Sequence, residues 1–291
     1  MIANERIWSS LEADSGVAIG QDVIARHTLA SNISLLECLN CGLQYFSPAL
    51  PGDSDFYSQL TSSAPTYYSV DKWDFRAAAK FVSTGNVVLD IACGDGKFLQ
   101  LARSKGADVC GIDTNPTAVE RAKLDGLPVH CTSLYEFASE YHGCFDVVTA
   151  FQVVEHLAEV QPFVRAAMDC LKPGGKLLLS LPNRLRLFRA PFEPFDHPPH
   201  HLTRWTANQF QEIAQQTGLK IISIHYEPGR MGDCRALLRG WIAPGRQTES
   251  LWARAVARLV FGPSMHKLFA RLGWLERWPL WGMSMMAVLE K

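Results

Sequence analysis

No window of the 291-residue chain holds the roughly 18 consecutive apolar residues that a membrane span needs. Met1 to Gly20 has no basic segment followed by an apolar stretch, so no secretory signal peptide is visible, and a soluble cytoplasmic protein is expected. Excess charge of one sign is also missing. Lys plus Arg is 28 against 29 for Asp plus Glu, a net charge of −1. A generally basic nucleic-acid binder would not be balanced this way, so no nucleic-acid partner is expected. The eight Cys form no dense framework. Cys110, Cys131, Cys144 and Cys170 lie in apolar runs and read as small core residues in a reducing compartment. Internal repeats and low-complexity tracts are absent. What the chain does have is 47% apolar and 20% charged residues, enough for a packed core and incompatible with wholesale disorder. Its length suits one large α/β domain, or an ordinary domain with additions.

Residues 1–65 keep no steady hydrophobic period, and read as a small, loosely structured N-terminal extension. From about residue 66 the pattern changes. A helical stretch through Trp73, Phe75, Ala78 and Phe81 leads into alternating strands and helices. The strand runs are VVLDIA, DVCGID, PVHC, FDVVTAF and KLLLSLP, with amphipathic segments between them. Asn115-Pro116 reads as a helix cap followed by Pro in the first turn, and Thr206 as another cap. Gly106, Gly126 and Gly174-Gly175 sit where helices should stop. Five buried strands separated by helices imply an α/β fold, a doubly wound, mostly parallel sheet covered on both faces. Ligands would bind at the carboxyl ends of its strands. Two more strands, LKIISIHYE and MSMMAVLEK, flank residues 229–281 and should pair antiparallel at one edge.

The sharpest motif runs from Val87 to Leu99, VVLDIACGDGKFL. An apolar strand ends in Asp90, passes through a tight turn at Gly94 and Gly96, and opens a helix. The two glycines would let the backbone approach a ligand where a Cβ would collide. The helix N-terminus offers unpaired N–H groups. Asp113 ends the next strand, where a carboxylate can hold both hydroxyls of a ribose. A dinucleotide fingerprint fails at Leu99, where a third Gly is needed. A phosphate loop fails at Phe98, where a hydroxyl is needed. Asp90 and Asp95 disfavour a pyrophosphate and suit a ligand that carries an ammonium beside its carboxylate.

With VVLDIACGDGKFL, VCGIDTNPTAVERA, FDVVTAFQVVEHL and LKPGGKLLLSLPN in this order, the chain resembles a class I S-adenosylmethionine-dependent methyltransferase of the type 11/12 kind, Rossmann-like in fold. The resemblance implies S-adenosylmethionine as cofactor. Asp90, Ala92, Gly94 and Gly96 would line its methionine half, and Asp113 its ribose. Thr114, Ser133 and Leu134 would flank the adenine, and Phe151 and Gln152 would close over the cofactor. Ala92 stands where the family has its first loop Gly, and Thr132-Ser133 where it often has Asp. Some quinone-type relatives hold a divalent metal with extra acids in the fourth strand's block. Gln152 replaces one such acid, which argues against a metal.

Transfer to a hydroxyl or amine also needs the acceptor to lose a proton, and His is the common base. His156 follows Glu155 in VVEHL, either as a base or as a structural residue at a helix start. His197, His200 and His201 lie in DHPPHHLTRW after the fifth strand, where the acceptor pocket should be. One of the paired rings should point inward and one outward, and a His there can titrate near neutral pH. The alternative is a loop His that braces a lid. Phe192, Phe195 and Trp205 would supply apolar walls for a small-molecule acceptor. Cys38-x-x-Cys41 resembles half of a degenerate zinc ribbon. With His27 as the one upstream His, a closed four-ligand site is not expected.

Residues 229–281 carry nine basic residues against three acids, and five of the eight Trp. In SLWARAVARLVF, Trp252, Val256, Leu259 and Val260 share one helical face, with Arg254 and Arg258 on another. The pattern fits a helical lid or dimer contact. It also fits a peripheral membrane element serving a lipid-linked acceptor. A non-catalytic S-adenosylmethionine-binding protein is the remaining alternative.

Overall fold

The computed structural model describes residues 1–63, 72–186, 192–228 and 282–291. The chain begins with β1 (Ile2–Ala3), α1 (Asn4–Ser15), α2 (Gln21–His27), β2 (Asn32–Glu37), β3 (Gln44–Ser47) and α3 (Ser54–Ser63). Then α4 (Trp73–Ala78) precedes β4 (Val87–Ile91), α5 (Lys97–Ser104), β5 (Asp108–Asp113), α6 (Pro116–Leu124) and β6 (Val129–Cys131). These are followed by α7 (Leu134–Glu140), β7 (Phe145–Phe151), α8 (Val160–Cys170) and β8 (Leu171–Pro182). The last elements are β9 (Thr203–Arg204), α9 (Ala207–Thr217), β10 (Lys220–Tyr226) and β11 (Ser284–Glu290).

The main sheet has seven strands in the order β10-β11-β8-β7-β4-β5-β6. The five strands from β8 to β6 run parallel. β11 inserts antiparallel between β8 and β10, so the chain's last strand is flanked on both sides. Strand periodicity explains why both faces are covered. In β8, Leu177, Leu179 and Leu181 face the cluster under α7, α8 and α9. Leu178 faces the opposite cluster, with Ala77, Ala78, Phe98 and Ala102 of α4 and α5. In β11, Met285, Ala287 and Leu289 alternate with Met286 and Val288 in the same way.

The capping expectations hold locally. The Asn115 side chain accepts from the Thr117 and Ala118 amides. Thr206 forms a capping box with Gln209. Gly174-Gly175 does not stop a helix: α8 already ends at Cys170 and β8 starts at Leu171. The cysteine expectation is half wrong. Cys170 is buried, but Cys131 at the end of edge strand β6 and Cys144 in a turn are exposed.

The N-terminal segment is not loosely structured. β1, β2 and β3 form a four-stranded sheet with β9, through the pairs Gln44–Arg204 and Tyr45–Thr203. Leu11, Val17, Val23, Phe56 and Leu60 make one small core, and Ile7, Ile33 and Phe46 another. Phe195 packs on the first and Phe192 on the second. The segment therefore folds onto the loop after β8. These are long-range contacts, which explains why no local period announces them. The 229–281 insertion lies outside the described residues.

Candidate active site

The carboxyl end of the parallel strands gathers most of the cofactor-side residues. A cleft there is lined by Lys72, Phe75, Asp90, Ala92, Cys93, Gly94, Asp95, Lys97 and Phe151. Its floor is Asp90, buried to 2% exposure, whose Oδ1 accepts the Thr149 hydroxyl at 2.7 Å. Burial pushes the Asp90 carboxyl up to about 8 against that hydrogen bond, and the nearby Asp113 charge adds to the rise. The turn after β4 is held in unusual backbone geometry. Ala92 has φ 56°, Gly94 55° and Gly96 77°. Ala92 is thus a non-glycine residue in the left-handed region, a strained state that clusters at functional sites. Gly96 carries a constraint besides the expected ligand approach: it lies at φ 77°, and a Cβ there would sit 2.2 Å from Leu127 Cδ1, which would have to shift.

Asp113 binds the loop directly. Its Oδ2 accepts the Gly94 amide at 2.8 Å and its Oδ1 the Asn115 amide at 2.8 Å. A carboxylate has about four acceptor positions, so some acceptor capacity remains beside these amides and that of Thr114. Burial raises the Asp113 carboxyl's pKa, while the Asn115 and Gly94 amides oppose the rise.

Other expected residues have different commitments. Phe151 is a cleft wall, packed edge-on against Phe75 and Phe98. Gln152 has φ 57° and its side chain is already engaged. Its amide donates to Asp74 Oδ2 and Ser180 Oγ, and Ser180 donates to the same Asp74 oxygen at 2.9 Å. Ser133 caps α7, with its hydroxyl on Glu136, and Leu134 is buried in the core. Thr114 is exposed just past β5. Sequence reasoning missed Thr149, Asp74 and Ser180, which brace the floor and the Gln152 turn. Each is an isolated polar residue in or before an apolar element, with no motif spacing to mark it.

His156, His200 and His201, expected to shape the acceptor pocket, come together, with one ring nitrogen from each within 4.8 Å of the others. His156 sits in the 3-10 turn Val154–His156 after β7, and the other two follow the turn Pro194–Asp196. Both paired rings are buried and stacked at 4.4 Å, not split inward and outward. The cause is the N-terminal segment, which covers this loop: Gly52 N–H donates to Pro199 O and Phe46 N–H to Leu202 O. Burial, then the neighbouring His201, pushes His156 down to about 3; burial first also holds His200 well below its ordinary value. His200 is thus held away from the near-neutral titration expected of this loop. Phe192 stacks on His197, and Trp205 is buried in the core while also lining a small cleft with Arg186, Asp196 and His201.

Glu155 is 1% exposed, and among the described residues neither carboxylate oxygen has a hydrogen-bond partner. Burial pushes it up to about 8. Asp196 differs. Burial would raise it, but the His201 hydrogen bond and the Arg186 charge hold it well below the usual carboxylate range. Cys38 and Cys41 occupy the turn between β2 and β3. Among the described residues no further metal-ligating side chains gather with them.

Residues 68–224, more than half of the chain, match the family model described as a methyltransferase domain. The chain belongs to this family. Among curated relatives, a ubiquinone biosynthesis O-methyltransferase of Xanthomonas oryzae pv. oryzae (strain PXO99A) is 37% identical over 113 residues, 37% of this chain and 47% of that protein. The chain thus spans about half the length of the curated relatives it matches. A solved S-adenosylmethionine-dependent methyltransferase from Archaeoglobus fulgidus superposes with a TM-score of 0.52 at 18% identity, covering 75% of this chain and 91% of that one. The cyclase SpnF gives 0.52 at 18% identity, covering 83% and 98%. At such identities these two establish the fold alone. The match runs from just before α4 into β10; its Gly loop lines the cleft just described, and Asp113 is bonded to Gly94 of that loop.

Proposed function

We propose that the protein transfers a methyl group from S-adenosylmethionine to an oxygen atom of a small-molecule acceptor, in the cytoplasm. The observation that carries the cofactor is Asp113, which grips the Gly94 amide of an Asp90-floored cleft and keeps acceptor capacity for a ribose hydroxyl. The buried acid floor suits the ammonium of the methionine moiety, because a cation there offsets the cost of ionising Asp90. Oxygen is favoured because the curated relatives are O-methyltransferases by name. A fold shared with a cyclase does not by itself choose the reaction, so the residues must.

The acceptor side is assigned to the loop after β8, with His200 and His201 shaping it and leaving the cofactor cleft to β4, β5 and β7. In-line displacement needs the acceptor oxygen aligned with the S–CH₃ bond, and positioning alone supplies up to roughly 7–11 kcal/mol in ideal cases. Calorimetry with S-adenosylhomocysteine, followed by turnover on a panel of phenolic and other hydroxyl acceptors, tests this reading. Absence of binding at millimolar ligand sinks it. Binding without methylation of any acceptor favours a non-catalytic cofactor-binding protein.

A lipid-linked or membrane-associated acceptor is a second reading, supported by the basic, Trp-rich composition of 229–281. Binding to anionic vesicles that is weakened by salt and lost on Arg254→Glu with Arg258→Glu supports it. Indifference to such vesicles at low salt leaves the soluble acceptor.

A further inference from the structure

Cys38 and Cys41 form a motif that methyl transfer leaves unused. They lie in the turn between β2 and β3, away from the cofactor cleft and ahead of the matched residues 68–224. The turn is tightly wound. Cys38 N–H donates to Leu43 O at 2.8 Å, and Gly42 N–H donates back to Cys38 O at 2.9 Å. Gly42 completes it at φ 71°. Residues three apart in a turn of this kind keep their Cα atoms within about 7 Å. A disulfide spans about 4.4–6.8 Å between Cα atoms, so the two sulfurs lie within reach of one another.

The turn is also anchored from behind. Gln209 of α9 donates its side-chain amide to Cys41 O, and Arg184 donates to Gly42 O at 3.1 Å while pairing with Glu37. The cysteines are thus presented by a fixed backbone. Both are half-buried, and Leu39 and Asn40 between them are exposed, so solvent reaches the pair. The two thiols are unequal. The backbone amides of Cys41 and Asn40, and then the Cys41 thiol, hold Cys38 below its ordinary value. Burial holds Cys41 above its ordinary value against the Leu43 amide, and the Cys38 sulfur adds to the rise. A sulfur favoured as thiolate beside one kept protonated is the division of labour that thiol–disulfide exchange needs. Burial pushes Cys93, Cys110 and Cys170 up instead, which makes each a poor attacking group.

We propose that Cys38 and Cys41 are a reversible dithiol–disulfide couple, with Cys38 attacking a low-molecular-weight disulfide and Cys41 resolving the product. The Cys38 thiolate attacks one sulfur of R–S–S–R, that bond breaks, and R–S⁻ leaves. Cys41 then gives up its proton, and its sulfur attacks the Cys38 sulfur and releases the second R–S⁻. The two cysteine protons end on the two released thiolates. Two protein thiols are oxidised to one disulfide, and one small disulfide is reduced to two thiols. Excess thiol runs the sequence backwards. Two cysteines are only half of a closed zinc set, and among the described residues no other ligating side chains gather with them. The couple needs nothing beyond the pair itself and is independent of the methyl acceptor.

The test equilibrates the full chain, reduced and treated with a chelator, with reduced and oxidised glutathione at several ratios. Samples are quenched in acid and alkylated under denaturing conditions. In excess oxidised glutathione, the peptide that holds Cys38 and Cys41 should lose two hydrogens in mass and take up no alkylating agent. Excess reduced glutathione should restore both thiols. On the native chain at neutral pH, Cys38 should alkylate before Cys41. Cys41→Ser should trap glutathione on Cys38 as a lasting mixed disulfide. Cys38→Ser should leave Cys41 unmodified over the time in which the wild-type pair is fully oxidised. The wild-type measurements need no variant, so they decide the matter if a variant fails to fold. Lasting glutathione on Cys38 of the wild-type chain, a disulfide from either residue to another cysteine, or a pair that stays reduced in a large excess of oxidised glutathione overturns the couple.

Discussion

Asp113 Oδ2 accepts the backbone amide of Gly94 at 2.8 Å, across 19 residues of sequence, and so ties the end of β5 to the turn after β4. The same carboxylate is the proposed ribose acceptor, so one side chain sets the shape of the loop and presents oxygens to the ligand. Asp113→Ala removes charge-assisted hydrogen bonds worth about 1.5–3 kcal/mol each. Affinity for S-adenosylhomocysteine, measured by calorimetry, is expected to fall at least tenfold. Unchanged affinity would remove Asp113 from the cofactor site.

Ala92 gives a sharper test of the loop. An L-residue in the left-handed region costs roughly 1–2 kcal/mol, and Gly avoids that cost while losing about 0.5–1 kcal/mol of chain entropy. At φ 56° the two nearly cancel, with Gly slightly ahead. Ala92→Gly is therefore expected to leave the urea midpoint unchanged or raise it, whereas Gly for Ala in an ordinary strand or helix lowers it. Ala92→Val should destabilise, since β-branching makes the left-handed region worse. A midpoint for Ala92→Gly well below wild type would show that the turn is not held this way.

These two sites show how legible the protein was. The loop, Asp113 and the succession of strands along the chain rest on local pattern: an apolar run, a turn, and an acid at a strand end. The mostly parallel sheet with its antiparallel edge was readable for the same reason. The N-terminal fold was not, because its small cores join Leu11 to Phe56 and Ile7 to Phe46 across dozens of residues. The environment of His200 was hidden for that reason too. The sequence places it in a loop, but its burial depends on segments some 150 residues upstream. Burial then reverses the expected titration.

Asp90 makes stability depend on pH with a definite sign. Its ordinary value is 3.8 and its folded value about 8. Between these the folded carboxyl holds a proton that the unfolded chain has released. Its contribution is therefore full below about pH 4 and is lost as pH rises towards 8. The ligand-free protein should show a falling urea midpoint from pH 5 to pH 8, and Asp90→Asn should flatten that fall. An identical slope in the variant would mean that Asp90 is ionised in the folded chain.

The Arg186–Asp196 pair predicts a different kind of loss. Arg186 has a side chain 4% exposed, bound to Asp196 at 2.6 Å and also paired with Glu193. Asp196 is itself 8% exposed and supports His201. Removing one partner of a buried pair leaves an uncompensated charge, at a cost of about 3–5 kcal/mol. Arg186→Ala should lower unfolding stability by that amount. Adding Asp196→Asn should recover part of it, because the second change removes the orphan charge although it deletes another native group. That non-additive recovery separates charge burial from simple loss of packing, which would make the double variant worse than either single one. A loss below about 1 kcal/mol for Arg186→Ala would place the pair among solvent-screened contacts, and the loop that carries His200 and His201 would then need another anchor.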